Sequence, residues 1–248
     1  LLEEKSHIFK SNSDDELIIH AYQEWGMKFL EKIDGMFAFA IFDNKLQKLF
    51  LVKDRFGVKP LYYFCDKENL IFASEIKAII KNKDIKREIN KKSLSEYFIY
   101  RYIPSPNTIF QNIFKIPPAH YLEIDKDFNI SQKKYFEIKI DNQKQRKNKL
   151  IKEVENLIKE SIKEQTDSEI EIASFLSGGF DSSILVKYFS EIKQGINTFS
   201  IGFKNWEKSE HKYAEKVSEI YKTNHFTEIL NSNSLNILDE LMYYYDEP

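Results

Sequence analysis

The sequence predicts an α+β domain followed by an α/β domain with a parallel sheet. Between residues 37 and 73, short apolar runs are separated by tight polar turns, and strands so closely spaced pair antiparallel. From residue 150 onward, helical stripes alternate with apolar strand-like runs, the pattern of a parallel sheet covered by helices. Apolar periodicity vanishes between Glu137 and Lys149. We therefore expect domains over 1–138 and 150–248, joined by a solvated linker over 139–149.

The first predicted element is a helix that begins after Ser13. Ser13 and Glu16 have the spacing of a capping box, in which each side chain accepts a hydrogen bond from the backbone N–H of the other residue. Apolar residues then recur at helical spacing as far as Trp25, and Gly26 is expected to end the helix. Antiparallel strands are predicted after it over 37–42, 48–52, 61–65 and 70–73.

The second half begins with a helix whose apolar stripe runs from Ile151 to Ile162. Helices are also predicted over 180–191 and 210–221, because their apolar residues recur at helical spacing. The strands predicted between and after them cover 170–176, 197–203 and 225–230.

The most informative motif is S-G-G-F-D-S-S over 177–183, between a predicted strand and a predicted helix. Gly178 and Gly179 allow the backbone to approach a ligand closely, and the helix behind them directs unpaired N–H groups toward an anion. The serines add hydroxyl donors, whereas Asp181 beside a phosphate makes sense mainly if Mg²⁺ lies between them. The alternative is an ordinary strand-to-helix turn with serine caps. The complete motif favours phosphate binding.

The same motif resembles the pyrophosphate loop of ATP pyrophosphatases, which adenylate a substrate. Three earlier segments resemble the class II glutamine amidotransferase half of glutamine-hydrolysing asparagine synthetase: D-G-M-F-A-F-A at 34–40, D-R-F-G-V-K-P-L-Y-Y at 54–63 and F-A-S-E-I-K-A at 72–78. Segments 102–110 and 115–122 are similar to the inter-domain segment of that family, and Y-D-E-P at 245–248 resembles its D-E-P element. The resemblance covers nearly the whole chain. It implies part of an Ntn-type amidotransferase sandwich, then part of a PP-loop ATP pyrophosphatase domain.

The implied activity is that of a carbon–nitrogen ligase of the asparagine synthase type. Its substrates would be glutamine, aspartate and ATP with Mg²⁺, and aspartate would react through a β-aspartyl-adenylate with release of pyrophosphate. Related amide-forming enzymes stay open as alternatives, namely a β-lactam synthetase, a lasso-peptide cyclase or a sugar amidotransferase. A non-catalytic nucleotide-binding remnant also stays open.

The resemblance assigns roles to particular residues. Asp14 would hold the amino group of glutamine, although a carboxylate in a first helical turn is favourable without any ligand. Leu176 and Ile201 would contact the nucleotide, although strand ends of this kind are usually core. The phosphates would be bound by Ser177, Gly178, Gly179, Ser182 and Ser183, and the metal by Asp181.

The nucleophile of the family, an N-terminal cysteine, has no counterpart here. The chain begins with Leu1, and Cys65 lies in an apolar run where a buried thiol is the better interpretation. No catalytic residue is therefore assigned. We expect an internal fragment that has no glutaminase activity of its own.

Composition limits the other classes of function. The 248 residues carry a net charge of −2, so no overall field attracts nucleic acid. No apolar run approaches the roughly 18 residues of a membrane span. One cysteine fits a reducing compartment, and a cytoplasmic protein is expected, with a homodimer allowed by the resemblance. The spacing of the histidines is not that of metal ligands, and Arg55 is expected to form a structural ion pair.

Overall fold

A computed structural model of the chain describes residues 1–140, 146–166, 170–204, 206, 209–231 and 237–247. The chain divides into two compact units, Leu1–Ile140 together with Glu240–Pro248, and Asp141–Asp239. Part of the predicted linker, residues 141–145, lies outside the described residues. Within the described ranges, no helix combines the length and the apolar character needed to cross a membrane.

The first unit contains two antiparallel sheets and three helices in its N-terminal part. The helices are α1 (Asp14–Trp25), α2 (Ile76–Ile79) and α3 (Lys91–Tyr100). The strands are β1 (Ala38–Asp43), β2 (Lys48–Lys53), β3 (Tyr62–Cys65), β4 (Leu70–Ala73), β5 (Ile113–Lys115), β6 (His120–Ile124) and β7 (Ile130–Lys134). One sheet has the order β1-β2-β6-β7 and the other β4-β3-β5. The predicted antiparallel strands are present within one or two residues of their expected bounds.

The two sheets pack face to face because side chains alternate along each strand. On β2, Leu51 faces the second sheet and is buried with Leu61 and Leu122. Its neighbour Val52 faces the other way and is buried among residues of α1 and of the 3-10 helix that follows it. The outer face of the second sheet is covered by α2. The layers therefore run helix, sheet, sheet, helix.

The start of α1 differs from the predicted capping box. Ser13 caps the helix as expected, since its Oγ accepts from the N–H of Asp15 at 3.2 Å. The carboxylate of Glu16 does not bond back to Ser13. It accepts instead from the N–H groups of Lys10 and Ser11, each at 2.8 Å, and thereby holds the segment before the helix. These bonds, led by that from the Ser11 hydroxyl, lower the pKa of Glu16 to about 2.

The second unit has helices on a parallel sheet, as predicted. Its elements are α4 (Lys147–Thr166), β8 (Ala173–Phe175), α5 (Phe180–Ile192), β9 (Asn197–Phe203), α6 (His211–Tyr221) and β10 (Asn224–Leu230). The order of the sheet is β10-β9-β8, with all described pairs parallel. The strand predicted over 170–176 is shorter than expected, although the N–H of Leu176 still bonds to Phe199 O at 2.8 Å. A last helix, α7 (Leu238–Tyr245), ends in the part of the chain that belongs to the first unit.

The faces of β9 differ in polarity. Thr198 and Ser200 are buried on the face that α6 covers, whereas Phe199, Ile201 and Phe203 on the opposite face are exposed. The helices pack around a core that includes Val186, Phe189 and Ala214. The apolar alternate residues of β9 are therefore outside this core and free to line a site.

Candidate functional site

The phosphate-loop motif forms a tight turn at the carboxyl end of β8. Leu176 directly follows β8 and is only 1% exposed, and Gly178 then adopts a φ of +84°. A Cβ at Gly178 would lie 2.6 Å from the backbone nitrogen of Ala214, so the loop passes α6 more closely than any other residue allows. Gly179 precedes α5 in an ordinary extended conformation, with φ −72°.

The three hydroxyls of the motif hold the loop together. Ser182 Oγ lies 3.0 Å from Ser177 Oγ and accepts from the N–H of Ser177 at 3.2 Å. Ser177 Oγ accepts from the N–H of Gly179 at 3.3 Å, and Ser183 Oγ donates to the carbonyl of Gly179 at 2.7 Å. A network of hydroxyls with rotatable hydrogens around a helix N-terminus can reorient toward an anion.

Asp181 is exposed in the first turn of α5. Among the described residues, no cluster of three or more histidine, cysteine or acidic side chains could hold a metal ion. Mg²⁺ is commonly held by one or two carboxylates, with phosphate oxygens and waters completing its shell. A single accessible carboxylate at a phosphate loop fits that pattern, so Asp181 could hold Mg²⁺ together with a bound nucleotide.

A cavity of about 560 Å³ opens beside the loop, at the carboxyl ends of β8 and β9. Ligands bind at this edge in parallel sheets. Of the predicted site residues, Leu176, Ser177 and Ile201 line the cavity together, and Ile201 is 56% exposed, so it is not a core residue. The remaining lining residues were not predicted from the sequence; they are Phe175, Phe199, Ser200, Phe203, Trp206, Glu210 and His211. Their positions at and after the ends of strands are the signal that could have identified them.

A second candidate site lies in the first unit around Asp14. A cavity of about 400 Å³ is lined by Asp14 at the start of α1 and by Met36, Lys59 and Ser74. These last three residues come from the three separate segments, 34–40, 54–63 and 72–78, on which the amidotransferase resemblance was based. The fold therefore gathers those segments at one concave surface that contains both an acidic and a basic side chain.

The turn that carries Lys59 is built on a buried carboxylate. Asp54 is 1% exposed and accepts hydrogen bonds from the N–H groups of Phe56, Val58 and Lys59, at 2.9 to 3.1 Å. Arg55 forms an ion pair with Asp34, as the sequence suggested for a structural residue. Asp54 and Arg55 thus hold the turn in place.

Cys65 does not have the environment of a nucleophile. Its Sγ lies 3.8 Å from the carbonyl oxygen of Phe128. Partial burial, and then the nearby charge of Asp66, raise the pKa of the thiol. Activated thiols have a lowered pKa. The interpretation of Cys65 as a packing residue therefore agrees with its surroundings.

Comparison with known proteins identifies the first half. Residues 1–136 match the protein-family model described as a glutamine amidotransferase domain. This chain belongs to the glutamine amidotransferase domain family. Residues 153–248 match the family model described as asparagine synthase. The resemblance to glutamine-hydrolysing asparagine synthetase and the predicted fold class are both confirmed. We refer below to the amidotransferase unit and the synthase unit.

Individual relatives match along most of the chain. Asparagine synthetase [glutamine-hydrolyzing] 1 of Bacillus subtilis (strain 168) is 31% identical over 249 residues, which cover 100% of this chain and 39% of the relative. Asparagine synthetase [glutamine-hydrolyzing] 2 of the same organism is 36% identical over 234 residues, 89% of this chain and 31% of the relative. Amidase chry2 of Gibberella zeae is 29% identical over 192 residues, 75% of this chain and 28% of the relative. The chain thus spans less than half the length of these relatives.

Proposed function

We propose that the complete protein makes asparagine from aspartate, with ammonia released from glutamine. Aspartate would react with ATP to give β-aspartyl-adenylate and pyrophosphate, and ammonia would then displace AMP. One observation supports this most strongly: a chain of the amidotransferase family also carries an S-G-G-F-D-S-S loop beside a cavity at the end of a parallel sheet.

The residues of the loop suit the first half-reaction. A carboxylate is a poor electrophile, and adenylation gives it a leaving group that ammonia can displace. Negative charge grows on the departing pyrophosphate, so donors already fixed around it stabilise the transition state. Ser177, Ser182 and Ser183 can supply hydroxyl donors, and the N-terminus of α5 supplies backbone N–H groups. Mg²⁺ held by Asp181 would neutralise part of the phosphate charge.

The cavity in the amidotransferase unit suits an amino acid. Asp14 offers a carboxylate for the ammonium group of glutamine, in keeping with its role in the family. Asp14 and Asp15 bring negative charge to this cavity, and Lys59 brings positive charge. A zwitterion is the kind of ligand that matches charges of both signs.

The test uses the complete gene product with aspartate whose β-carboxylate carries ¹⁸O. With ATP and either glutamine or ammonium, we expect one pyrophosphate for each asparagine formed and ¹⁸O in the AMP. Transfer of ¹⁸O to inorganic phosphate, with ADP as product, would contradict adenylation. Turnover that depends on another acceptor would favour one of the related amide-forming enzymes. Binding of ATP without turnover of any acceptor would favour the nucleotide-binding remnant.

A further inference from the structure

Two histidines of the amidotransferase unit are in direct contact. His7 lies in the segment before α1, and His20 lies on α1 itself. Their Nδ1 atoms are 2.9 Å apart, and the ring centroids are 4.9 Å apart in an edge-to-face arrangement. The two side chains are only 15% and 19% exposed, and the ring of Phe9 packs against His20. The two Nδ1 atoms are therefore each other's hydrogen-bond partners.

Each ring also faces a carboxylate with its other nitrogen. Nε2 of His7 lies 3.2 Å from Oε2 of Glu24. Nε2 of His20 lies 3.5 Å from Oε1 of Glu16. The pKa of Glu16 is about 2, and a hydrogen bond from Lys5 is the main cause that lowers the pKa of Glu24. Both carboxylates are therefore ionised near neutral pH and only accept hydrogen bonds, so both Nε2 atoms need a hydrogen.

The number of protons follows from these contacts. A neutral imidazole has one N–H, so two neutral rings that donate from Nε2 direct the lone pairs of their Nδ1 atoms at each other over 2.9 Å. One additional proton on either Nδ1 turns this repulsion into an N–H···N hydrogen bond. A second additional proton would place two N–H groups against each other. The arrangement of His7 and His20 thus fits one positive charge shared by the pair.

The surrounding charges favour that single proton. Glu16 and Glu24 face the pair from α1, and Lys5 faces Glu24 from a 3-10 helix over Glu3–Lys5. Two carboxylates and one ammonium leave one unit of negative charge, which one imidazolium neutralises. Histidine is the side chain that exchanges a proton near neutral pH. The pair is therefore suited to bind and release one proton in that range.

Glu16 connects the histidine pair to the start of α1. Its Oε1 faces His20, and its Oε2 accepts from the N–H of Ser11 at 2.8 Å. Ser11 Oγ in turn accepts from the N–H of Ser13 at 3.3 Å. Ser13 caps α1, whose first residue is Asp14. A continuous set of polar contacts therefore leads from His20 to the residue proposed to bind glutamine.

We propose that His7 and His20 bind one shared proton and that this proton positions the segment before Asp14. When the pair loses the proton, repulsion between the two Nδ1 atoms loosens the contact of His7 with α1 and with it the segment that leads to Asp14. Glutamine then binds less tightly, and by thermodynamic linkage bound glutamine holds the proton on the pair. The effect on glutamine rests on the proposed function, whereas the shared proton does not. Both histidines act as positioning residues.

The first experiment measures the shared proton in the 248-residue chain, which has five histidines. Nitrogen NMR of the imidazole rings, followed between about pH 5 and pH 8, should show both Nδ1 signals moving in one common step, with a second step only at lower pH. In His20→Phe, which keeps a ring against Phe9, His7 should titrate in a single step at a different pH. His7→Phe should do the same for His20, and the two variants assign the signals.

A control in the same unit is His120→Gln, because the Nδ1 of His120 contacts only the carbonyl oxygen of Pro118 among the described residues. It should leave the common step unchanged. Separate single steps for the two rings in the wild type would overturn the shared proton. So would a titration of His7 that is the same in His20→Phe as in the wild type. Circular dichroism of each variant confirms that it is folded.

The second experiment measures the KM for glutamine against pH in the complete gene product. In the wild type, this KM should rise about fivefold or more as the pair loses its proton, a typical size for coupling between two sites. The rise should be absent in His7→Phe and in His20→Phe, and ammonium-dependent synthesis should be unchanged in both. If both variants keep the wild-type dependence on pH, the positioning role is overturned. If Asp14→Asn uses glutamine as well as the wild type, the proposed role of Asp14 fails, and the NMR result still decides whether the proton is shared.

Discussion

Gly178 and Gly179 are adjacent in sequence but have different structural roles. At Gly178, a side chain would need a φ of +84° and would place its Cβ 2.6 Å from Ala214 N, whereas at Gly179 the nearest atom would be Ser177 Oγ at 3.3 Å. Gly178→Ala should therefore lower the free energy of unfolding of the synthase unit by about 1 to 3 kcal/mol, and Gly179→Ala by much less. Urea denaturation followed by circular dichroism measures both. Equal losses in the two variants would contradict this geometry.

Asp181 is expected to matter for adenylation and not for glutamine hydrolysis. Without an acidic residue to hold Mg²⁺, the charge on the departing pyrophosphate is less well stabilised. In the complete gene product, Asp181→Asn should reduce pyrophosphate release about a hundredfold or more. Ser182→Ala should cost less, because it removes one hydroxyl of several. An Asp181→Asn enzyme with the rate and Mg²⁺ dependence of the wild type would refute the metal assignment. The control is Asp84→Asn, which removes an exposed carboxylate of the amidotransferase unit and should leave pyrophosphate release unchanged.

Replacement of Asp14 should impair the use of glutamine and leave the synthase reaction intact, the opposite of the effect expected for Asp181. Its carboxylate is proposed to pair with the ammonium group of glutamine, and a charged hydrogen bond of this kind is worth roughly 1.5 to 3 kcal/mol. Asp14→Asn should therefore raise the KM for glutamine at least about tenfold and leave ammonium-dependent synthesis unchanged. Steady-state kinetics with each nitrogen donor measure this. A loss of ammonium-dependent activity in Asp14→Asn would show that the residue acts on the fold and not on glutamine.

Single residues were predictable where a short motif fixes the local chemistry. Ser13 caps its helix as predicted, and the S-G-G-F-D-S-S motif lies at a strand end before a helix. The partner of Glu16 was not predictable, because its hydrogen bonds depend on how residues 10 and 11 fold back. Trp206 and His211 were missed as site residues, since a loop tryptophan or a histidine without metal spacing has no periodic pattern that distinguishes it.

At the scale of elements, clear periodicity and continuous apolar runs gave correct predictions. The strand predicted over 197–203 is β9 to the residue, because its apolar and polar residues alternate cleanly. Strand β7 was not predicted, and its five residues are all exposed at the edge of a sheet, so no buried face imposes a pattern. Helix α3 was missed although Asn90 caps it, since most of its apolar residues near the C-terminal end are exposed.

Strands β9 and β10 share a partly buried polar ladder on the side of the sheet that α6 contacts. Nδ1 of His225 lies 2.9 Å from Thr198 Oγ1, and Nε2 lies 3.1 Å from Ser200 Oγ. Ser200 also lines the candidate nucleotide cavity. Burial lowers the pKa of His225, whereas the charge of Glu215 on α6 and a hydrogen bond with Thr198 act in the opposite direction. The folded chain therefore favours the neutral imidazole.

This preference for the neutral form of His225 predicts that the stability of the synthase unit depends on pH. Because the folded pKa of His225 lies below the unfolded value of about 6.5, the unfolded chain binds a proton that the folded chain resists. The contribution of His225 is present above pH of about 6.5 and is lost as the pH falls toward the folded pKa. Urea midpoints of the synthase unit should therefore fall more steeply below that pH in the wild type than in His225→Gln. Parallel curves for the two proteins would contradict a partly buried histidine that is neutral in the folded chain.

At the scale of the whole molecule, the sequence indicated two domains. It did not indicate that the end of the chain belongs to the first of them. Residues 240–248 belong to the amidotransferase unit, although they follow the synthase unit in sequence. The acidic residues of the D-E-P element form ion pairs there, Asp246 with Lys77 at 3.3 Å and Glu247 with Lys115 at 2.7 Å. Such contacts join residues more than 130 positions apart, and local patterns carry no information about them.

The predicted linker gives a test of this arrangement. Ile138 and Ile140 are exposed as the chain leaves the amidotransferase unit, and α4 begins at Lys147. Trypsin should therefore cut first between residues 141 and 149, where four basic residues are available. The two fragments should still elute together in gel filtration, because the end of the second fragment packs within the amidotransferase unit.

The ion pairs should control that association. The four side chains are only 8% to 21% exposed, and removal of one partner leaves the other charge uncompensated in a partly desolvated place. Lys115→Met combined with Lys77→Met should therefore make the nicked fragments separate at concentrations at which the wild-type fragments stay together. Lys134→Met, which breaks the exposed pair with Glu137, is the matched control and should have no effect. Separation of the wild-type fragments immediately after cleavage would show that residues 240–247 do not belong to the amidotransferase unit in solution. Early cutting inside either unit would refute the predicted boundary between the units.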